Sequence, residues 1–403
     1  MSSNKKRILF INRYFEVGGI QSSMINMANV LCEDYDVDIF AYYPKGELKE
    51  RLDSRVNVLK PSWPILAMGM LPKDALREKK LFHFLFRIFG SVWSKLFDNR
   101  LPIYIATKIQ PKLMGYDLAI AYRAETRKSV ITSGYARVLD RCVKSKVKAT
   151  WIHYDANTLN NSSVFNEKYY RNIDKIIGVS KSVMDAFETV NPSLSEKMDY
   201  CYNFLNYSKI YENSKKEQEI KYPSGKFVCF SACRLSKEKG IVRGITALAP
   251  VLKEHNDVVW FIAGDGPERE NIEAAVKSLG LENRIVLIGN QKNPYPYMKN
   301  ADLYLSLSFH EAAPMVYLEA KALHVPVFTT KTLSSYEMLK DGIEDFVCEN
   351  SGEGIREKFI EIMKDKKKVK NAKKNLECYN GNNNESFAKI IELCNFGEDA
   401  TQL

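Results

Sequence analysis

The chain has 403 residues, 45% of them hydrophobic and 27% charged, a globular composition that excludes a disordered chain and is too long for one ordinary core. Its formal net charge of +10 fits phosphorylated ligands, anionic lipid or nucleic acid alike, but no nucleic-acid-binding module accompanies it. The eight cysteines show no zinc-site or disulfide spacing, and their expected state is the reduced thiol, which points to the cytoplasm.

In chain order, Lys5-Lys6-Arg7 is followed by only the short apolar run Ile8–Asn12 before Arg13, which does not read as a secretion signal. Ile8–Ile11 is a first strand and Val17-Gly18-Gly19 the turn after it. Ile20, Met24, Met27, Ala28 and Leu31 then keep helical spacing. Val37–Tyr42, Asp117–Ala121, Ala149–His153 and Lys175–Val179 read as further strands. Their alternation with helical stretches predicts a parallel sheet flanked by helices.

Between these strands, Lys79–Arg100 carries an apolar stripe of Leu81, Phe82, Leu85, Ile88, Phe89, Val92, Trp93 and Leu96. Lys80, His83, Arg87, Ser91, Ser94 and Lys95 fall on the other side. Two readings stay open: an interfacial helix on an anionic membrane surface, and a core-packing helix of the first domain. No run of about 18–20 apolar residues is present, so no membrane-crossing helix is expected.

Composition shifts over 203–225, read as an interdomain linker ending in Pro223-Ser224-Gly225. A second series follows, with strands expected at Phe227–Cys233, Val258–Ala263, Arg284–Ile288, Leu303–Leu307 and Val325–Thr329. The basic run Lys366–Lys374 reads as a solvated helix face. Two doubly wound α/β units in tandem, with a cleft between them, are the expected architecture.

Three clusters carry chemistry. Arg234 and Lys239-Gly240 follow the second unit's first strand, where cations point into the ligand crevice and can neutralise a diphosphate. Gly264-Asp-Gly266-Pro267 ends a strand in a glycine turn. Glu311-Ala-Ala-Pro-Met-Val-Tyr-Leu-Glu319 sets two carboxylates eight residues apart at the start of a helical stretch, whose amides suit phosphate and whose carboxylates suit sugar hydroxyls.

In this order the clusters resemble the retaining glycosyltransferases of family 4, the glycosyl transferases group 1 of bacterial polysaccharide and glycan synthesis. The resemblance implies the GT-B fold, with two Rossmann-like domains at 1–205 and 206–385 and a C-terminal helix and tail, 386–403, returning toward the first. It implies that Arg234 and Lys239 grip the donor diphosphate, Glu311 meets the donor sugar and Glu319 the ribose. Backbone amides of Ala312, Ala313 and Met315 would serve the sugar and phosphate, and Asn290 the base. Gly18 and Gly19 match the family's glycine turn, and His153, in Trp151-Ile-His153-Tyr-Asp155, its sugar-contacting histidine. Ala312 stands where such enzymes often have glycine.

The implied reaction moves a sugar from a nucleoside diphosphate, UDP by expectation, to a glycan or lipid-linked acceptor with retention and without a metal or other cofactor. A nicotinamide oxidoreductase is excluded because Val17–Ser22 lacks Gly-x-Gly-x-x-Gly. A nucleotide-sugar epimerase and a non-catalytic partner subunit stay as alternatives.

Overall fold

The structure is a computed structural model and describes residues 5–125, 130–158, 163–340 and 344–396. The chain divides into two units, Met1–Phe204 with Asn383–Leu403, and Leu205–Asn382.

The first unit is built on seven parallel strands: β1 (Arg7–Asn12), β2 (Asp36–Ala41), β3 (Asn57–Leu59), β4 (Leu113–Ala121), β5 (Val143–Ile152), β6 (Lys175–Gly178) and β7 (Met198–Tyr200). Their order is β3-β2-β1-β4-β5-β6-β7. Ile8 pairs with Val37 on one side and Leu118 on the other. Ile8, Leu9, Phe10 and Ile11 are all fully buried, so β1 reads as a continuous apolar run because helices cover both faces of the sheet. Burial of each such side chain contributes roughly 1.5–3 kcal/mol. The C-terminal helix Asn384–Asn395 belongs to this unit. Ser386 Oγ donates to the Tyr202 carbonyl at 3.0 Å, and Lys389 pairs with Asp199 at 2.7 Å.

The second unit repeats the plan with β8 (Phe227–Ala232), β9 (Val258–Ala263), β10 (Ile285–Gly289), β11 (Leu303–Ser306), β12 (Val327–Thr330) and β13 (Val347–Cys348). The order is β10-β9-β8-β11-β12-β13, again all parallel. The buried Trp260 indole donates to Ser231 Oγ at 3.0 Å, and Ser231 donates on to the Leu305 carbonyl at 2.7 Å, tying β9, β8 and β11 together. In both sheets the winding direction reverses beside the first strand, between β1 and β4 and between β8 and β11. Loops diverge there and leave a crevice at the strands' C-terminal ends.

Two expectations change. The stretch 203–225 is not a bare linker, because it contains the helix Tyr207–Ser214, whose Ile210 joins the second core. In Lys79–Arg100, the helix Leu81–Leu96 turns its apolar stripe outward: Leu81, Phe82, Leu85, Ile88, Phe89, Val92 and Leu96 are exposed. Its small residues face in, Gly90 so closely that a Cβ there would lie 1.9 Å from Ile131 Cδ1. Core packing is thereby ruled out for these seven side chains, while Trp93, the eighth of the stripe, is half-buried. Among the described residues no helix is long and apolar enough to cross a membrane.

Candidate functional site

The crevice of the second unit is assembled by close contact of the loops after β8, β9 and β11. Gly240 has φ +64°, and a Cβ there would sit 2.1 Å from the Leu307 carbonyl oxygen. Gly264, at φ +137°, would meet the Cys233 carbonyl oxygen at 1.9 Å. Only glycine permits both approaches. Phe309 N–H donates to the Glu238 carbonyl at 2.8 Å, and the Arg243 guanidinium lies 3.7 Å over the Phe309 ring while donating to the Leu307 carbonyl at 2.8 Å.

This packing carries Lys239 to Glu311. Their Nζ–Oε1 distance is 2.6 Å, and Ser308 Oγ donates to the same carboxylate oxygen at 2.7 Å. Burial opposes the charge on Lys239, but the Glu311 carboxylate outweighs it and raises the lysine above its ordinary value. Lys239 is therefore a fixed cation. Arg234, in the same loop, is exposed, and its side chain has no hydrogen bond or ion pair among the described residues.

Glu319 lies on the helix Met315–Ala322, which Pro314 opens, and accepts a hydrogen bond from Tyr295 Oη at 3.2 Å. At that helix's entrance the amides of Ala312 and Met315 have no acceptor among the described residues. Asn290 is exposed just past the sheet-edge strand β10, and among the described residues no hydrogen bond joins it to Lys239 or Glu311. Ser308 and Tyr295 are members of the arrangement that sequence reasoning missed.

His153, Gly18 and Gly19 belong to the first unit. A Cβ on Gly19 would meet nothing within 4 Å, and one on Gly18 would meet only the end of the Gln21 side chain, so the chain's own packing does not demand these glycines. His153 follows β5 and borders a cavity of about 260 Å³ with Arg13 and Tyr14 from the end of β1, Arg123 from the end of β4, and Thr132 and Tyr135. Its ring lies 4.9 Å from that of Tyr122, whose hydroxyl meets Ser23 Oγ at 2.8 Å in a buried network. Although the ring borders the cavity, Nε2 is shut off from water and has no partner among the described residues. Burial, then the nearby Arg123 charge, pushes the imidazole down to about 3, against a weaker backbone hydrogen bond to Tyr122.

The imidazole is thus neutral over the working pH range, and this has a measurable sign. A folded value below the unfolded 6.5 means that the unfolded chain binds the proton first as pH falls. The full stability is present above pH 6.5 and declines toward the folded value. His153→Gln is expected to flatten this decline, by up to about 1.4 kcal/mol per pH unit. Urea unfolding between pH 4 and 7 checks it, and equal slopes in both proteins would contradict it.

Among the described residues no group of three or more His, Cys, Asp or Glu is placed to hold a metal ion. What the arrangement can do is hold an anionic, hydroxyl-rich ligand on the fixed cation of Lys239, the unpaired one of Arg234 and the amides of Ala312 and Met315.

Residues 212–377 match the family Glycosyl transferases group 1. The chain is similar to N-acetyl-alpha-D-glucosaminyl L-malate synthase of Bacillus anthracis, 27% identical over 203 residues, 49% of this chain. It spans about half, 52%, of that relative's length. A longer match, 26% identical over 363 residues, covers 89% of this chain and 90% of N-acetylgalactosamine-N,N'-diacetylbacillosaminyl-diphospho-undecaprenol 4-alpha-N-acetylgalactosaminyltransferase of Campylobacter jejuni. In fold the chain resembles Anabaena HepE, solved in complex with UDP, with a TM-score of 0.64 at 19% identity, over 98% of this chain and all of that one.

Proposed function

We propose that this chain, a glycosyl transferases group 1 protein of GT-B fold with its family domain at 212–377, is a retaining glycosyltransferase that moves a hexosyl group from a UDP-sugar to a glycan or lipid-linked acceptor. The observation that carries this reading is the Lys239–Glu311–Ser308 cluster at the switch point of the second sheet, with Arg234 unpaired beside it. Support for UDP comes from the ligand named for HepE, and for a lipid-linked acceptor from the name of the Campylobacter relative.

In this reading Arg234 and Lys239 take up the charge that grows on the leaving diphosphate. The amides of Ala312, Ala313 and Met315 assist, and no metal is required. Glu311, released by Lys239 to the phosphate, accepts from donor sugar hydroxyls, while Ser308 keeps its carboxylate in place. Glu319, steadied by Tyr295, holds the ribose, and Asn290 serves the base. His153, neutral, presents its ring to the transferred sugar from the cavity wall, and Gly18 and Gly19 leave room for the substrate against the first unit's leading helix. The donor phosphate itself removes the acceptor proton on the face from which it departs, which gives retention. An epimerase or a non-catalytic subunit has no observation in its favour; the cations and both carboxylates that a decayed site would lose are present. The outward apolar stripe of Leu81–Leu96 supports peripheral docking on the cytoplasmic face of a membrane.

A screen of radiolabelled nucleotide sugars for slow hydrolysis and transfer, in chelator, tests the reading. One UDP-hexose is expected to turn over, with the anomeric configuration kept in the product. No turnover of any nucleotide sugar would overturn it. Glu319→Gln is expected to raise the donor KM with little change in kcat, since ribose contacts are alike in ground and transition states. Unchanged KM would remove Glu319 from the donor site.

A further inference from the structure

The cavity beside His153 holds more charge than a site for neutral sugar needs. Arg13 and Arg123 enter it from the ends of β1 and β4, the two strands at the first sheet's switch point. Arg13 is steadied by its Nε–H donating to the Gly69 carbonyl at 3.3 Å and by lying 4.8 Å over the Tyr14 ring. Arg123 has no side-chain hydrogen bond or ion pair among the described residues. The nearby carboxylate does not answer them: Glu125 is fully buried and already taken by Ser133 Oγ at 3.0 Å, the Gly134 amide at 2.8 Å and Arg137 at 3.4 Å. Two guanidiniums with no carboxylate among the described residues that line the cavity, beside Tyr14, Thr132 and Tyr135, make a receptor for an oxyanion.

A third cation extends the field toward the exposed apolar helix. Arg87, on Leu81–Leu96, turns inward and donates through Nε–H to the Met70 carbonyl at 2.9 Å. Burial first, and then the Arg13 charge, push its guanidinium down to about 10, which places the two arginines in one electrostatic neighbourhood. Arg13 and Arg87 donate to the adjacent carbonyls of Gly69 and Met70, so the cavity's rim and the helix with the exposed apolar stripe meet at one stretch of backbone.

We propose that this cavity is an anion subsite for the acceptor, in which Arg13 and Arg123 hold a phosphate or carboxylate on an amphiphilic molecule and so set its hydroxyl beside His153. The assignment of the ligand as acceptor rests on the transferase reading; the anion subsite itself does not. Specificity follows from the charge, because an uncharged analogue leaves both guanidiniums without a partner.

The test titrates the full chain, saturated with UDP to occupy the donor site, with geranyl phosphate, geranate and geraniol, which share a tail and differ in head group. At least one of the two anions is expected to bind about tenfold or more tightly than geraniol, and whichever leads identifies phosphate or carboxylate as the recognised head. In the double variant Arg13→Ala, Arg123→Ala the preference is expected to shrink to within about threefold, with UDP affinity unchanged. Equal binding of the three probes, no binding of any, or a preference that survives the double variant would overturn the proposal. If the double variant does not fold, the wild-type comparison decides. Protein that ignores UDP yet prefers the anions would sink the donor assignment and leave the subsite standing; protein that binds UDP and shows no preference would sink the subsite alone.

Discussion

Arg234→Ala and Lys239→Ala are each expected to lower kcat/KM at least about a hundredfold, because removing one preorganised stabiliser of developing charge costs roughly 3 kcal/mol. The two variants should differ in stability. Lys239 pairs with Glu311 at 2.6 Å, and the carboxylate's side chain is only 13% exposed, so its loss leaves a largely buried charge held by Ser308 alone. A drop of about 1–3 kcal/mol accompanies such a loss. Arg234 is exposed and unpaired, so its truncation should leave unfolding unchanged while turnover collapses. Steady-state kinetics with the donor found by screening, read beside urea unfolding, separates the two effects. Near wild-type turnover in Arg234→Ala would remove the diphosphate assignment.

The pair Phe82→Glu with Phe89→Glu is expected to abolish sedimentation with phosphatidylglycerol vesicles and to leave the chain folded. Phe82 has 79% of its surface exposed, and Phe89, 40% exposed, lies at the surface against only Phe86 and Trp93 of its own helix among the described aromatic contacts. Burying such a side chain in the interface contributes about 1.5–3 kcal/mol, and a carboxylate there reverses the sign. The electrostatic share is smaller than four basic residues would give. Arg87 faces inward and Lys80 pairs with Glu78 at 2.8 Å, which leaves Lys79 and Lys95 exposed, at about 1 kcal/mol each. Binding should therefore weaken with salt without vanishing. Phe86 is a poor choice for this test, since it packs 5.4 Å from Trp63. Wild-type protein that ignores the vesicles at low salt would contradict membrane docking.

The long apolar strands were legible in the sequence because parallel strands covered on both faces lose the alternation that marks half-buried ones. The short ones were not: β3, β7 and β13 have three, three and two residues, too few to show a period. β4 and β5 begin earlier than their apolar cores suggest, since Met114, Gly115 and Lys144 face solvent before the buried runs start.

In the proposed donor site, charge at strand ends singled out Arg234 and Lys239, and spacing singled out Glu311 and Glu319. Ser308 and Tyr295 act through single hydroxyls that carry no spacing signal. Arg13 and Arg123 also stand just after strands, and the rule that picked Arg234 would have picked them too. In Leu81–Leu96 the inward side was legible in Gly90 and Ser94, whose small size permits close packing, but a hydrophobic stripe draws the eye first.

The measurement that bears most directly on the donor site is a calorimetric titration of UDP into the full chain in buffer containing a chelator. The expected result is saturable binding at one site that is lost, or weakened at least about a hundredfold, in the double variant Arg234→Ala, Lys239→Ala. No binding by the wild type, binding that appears only when magnesium or manganese is restored, or equal affinity in the double variant would contradict a metal-free diphosphate site on these two cations.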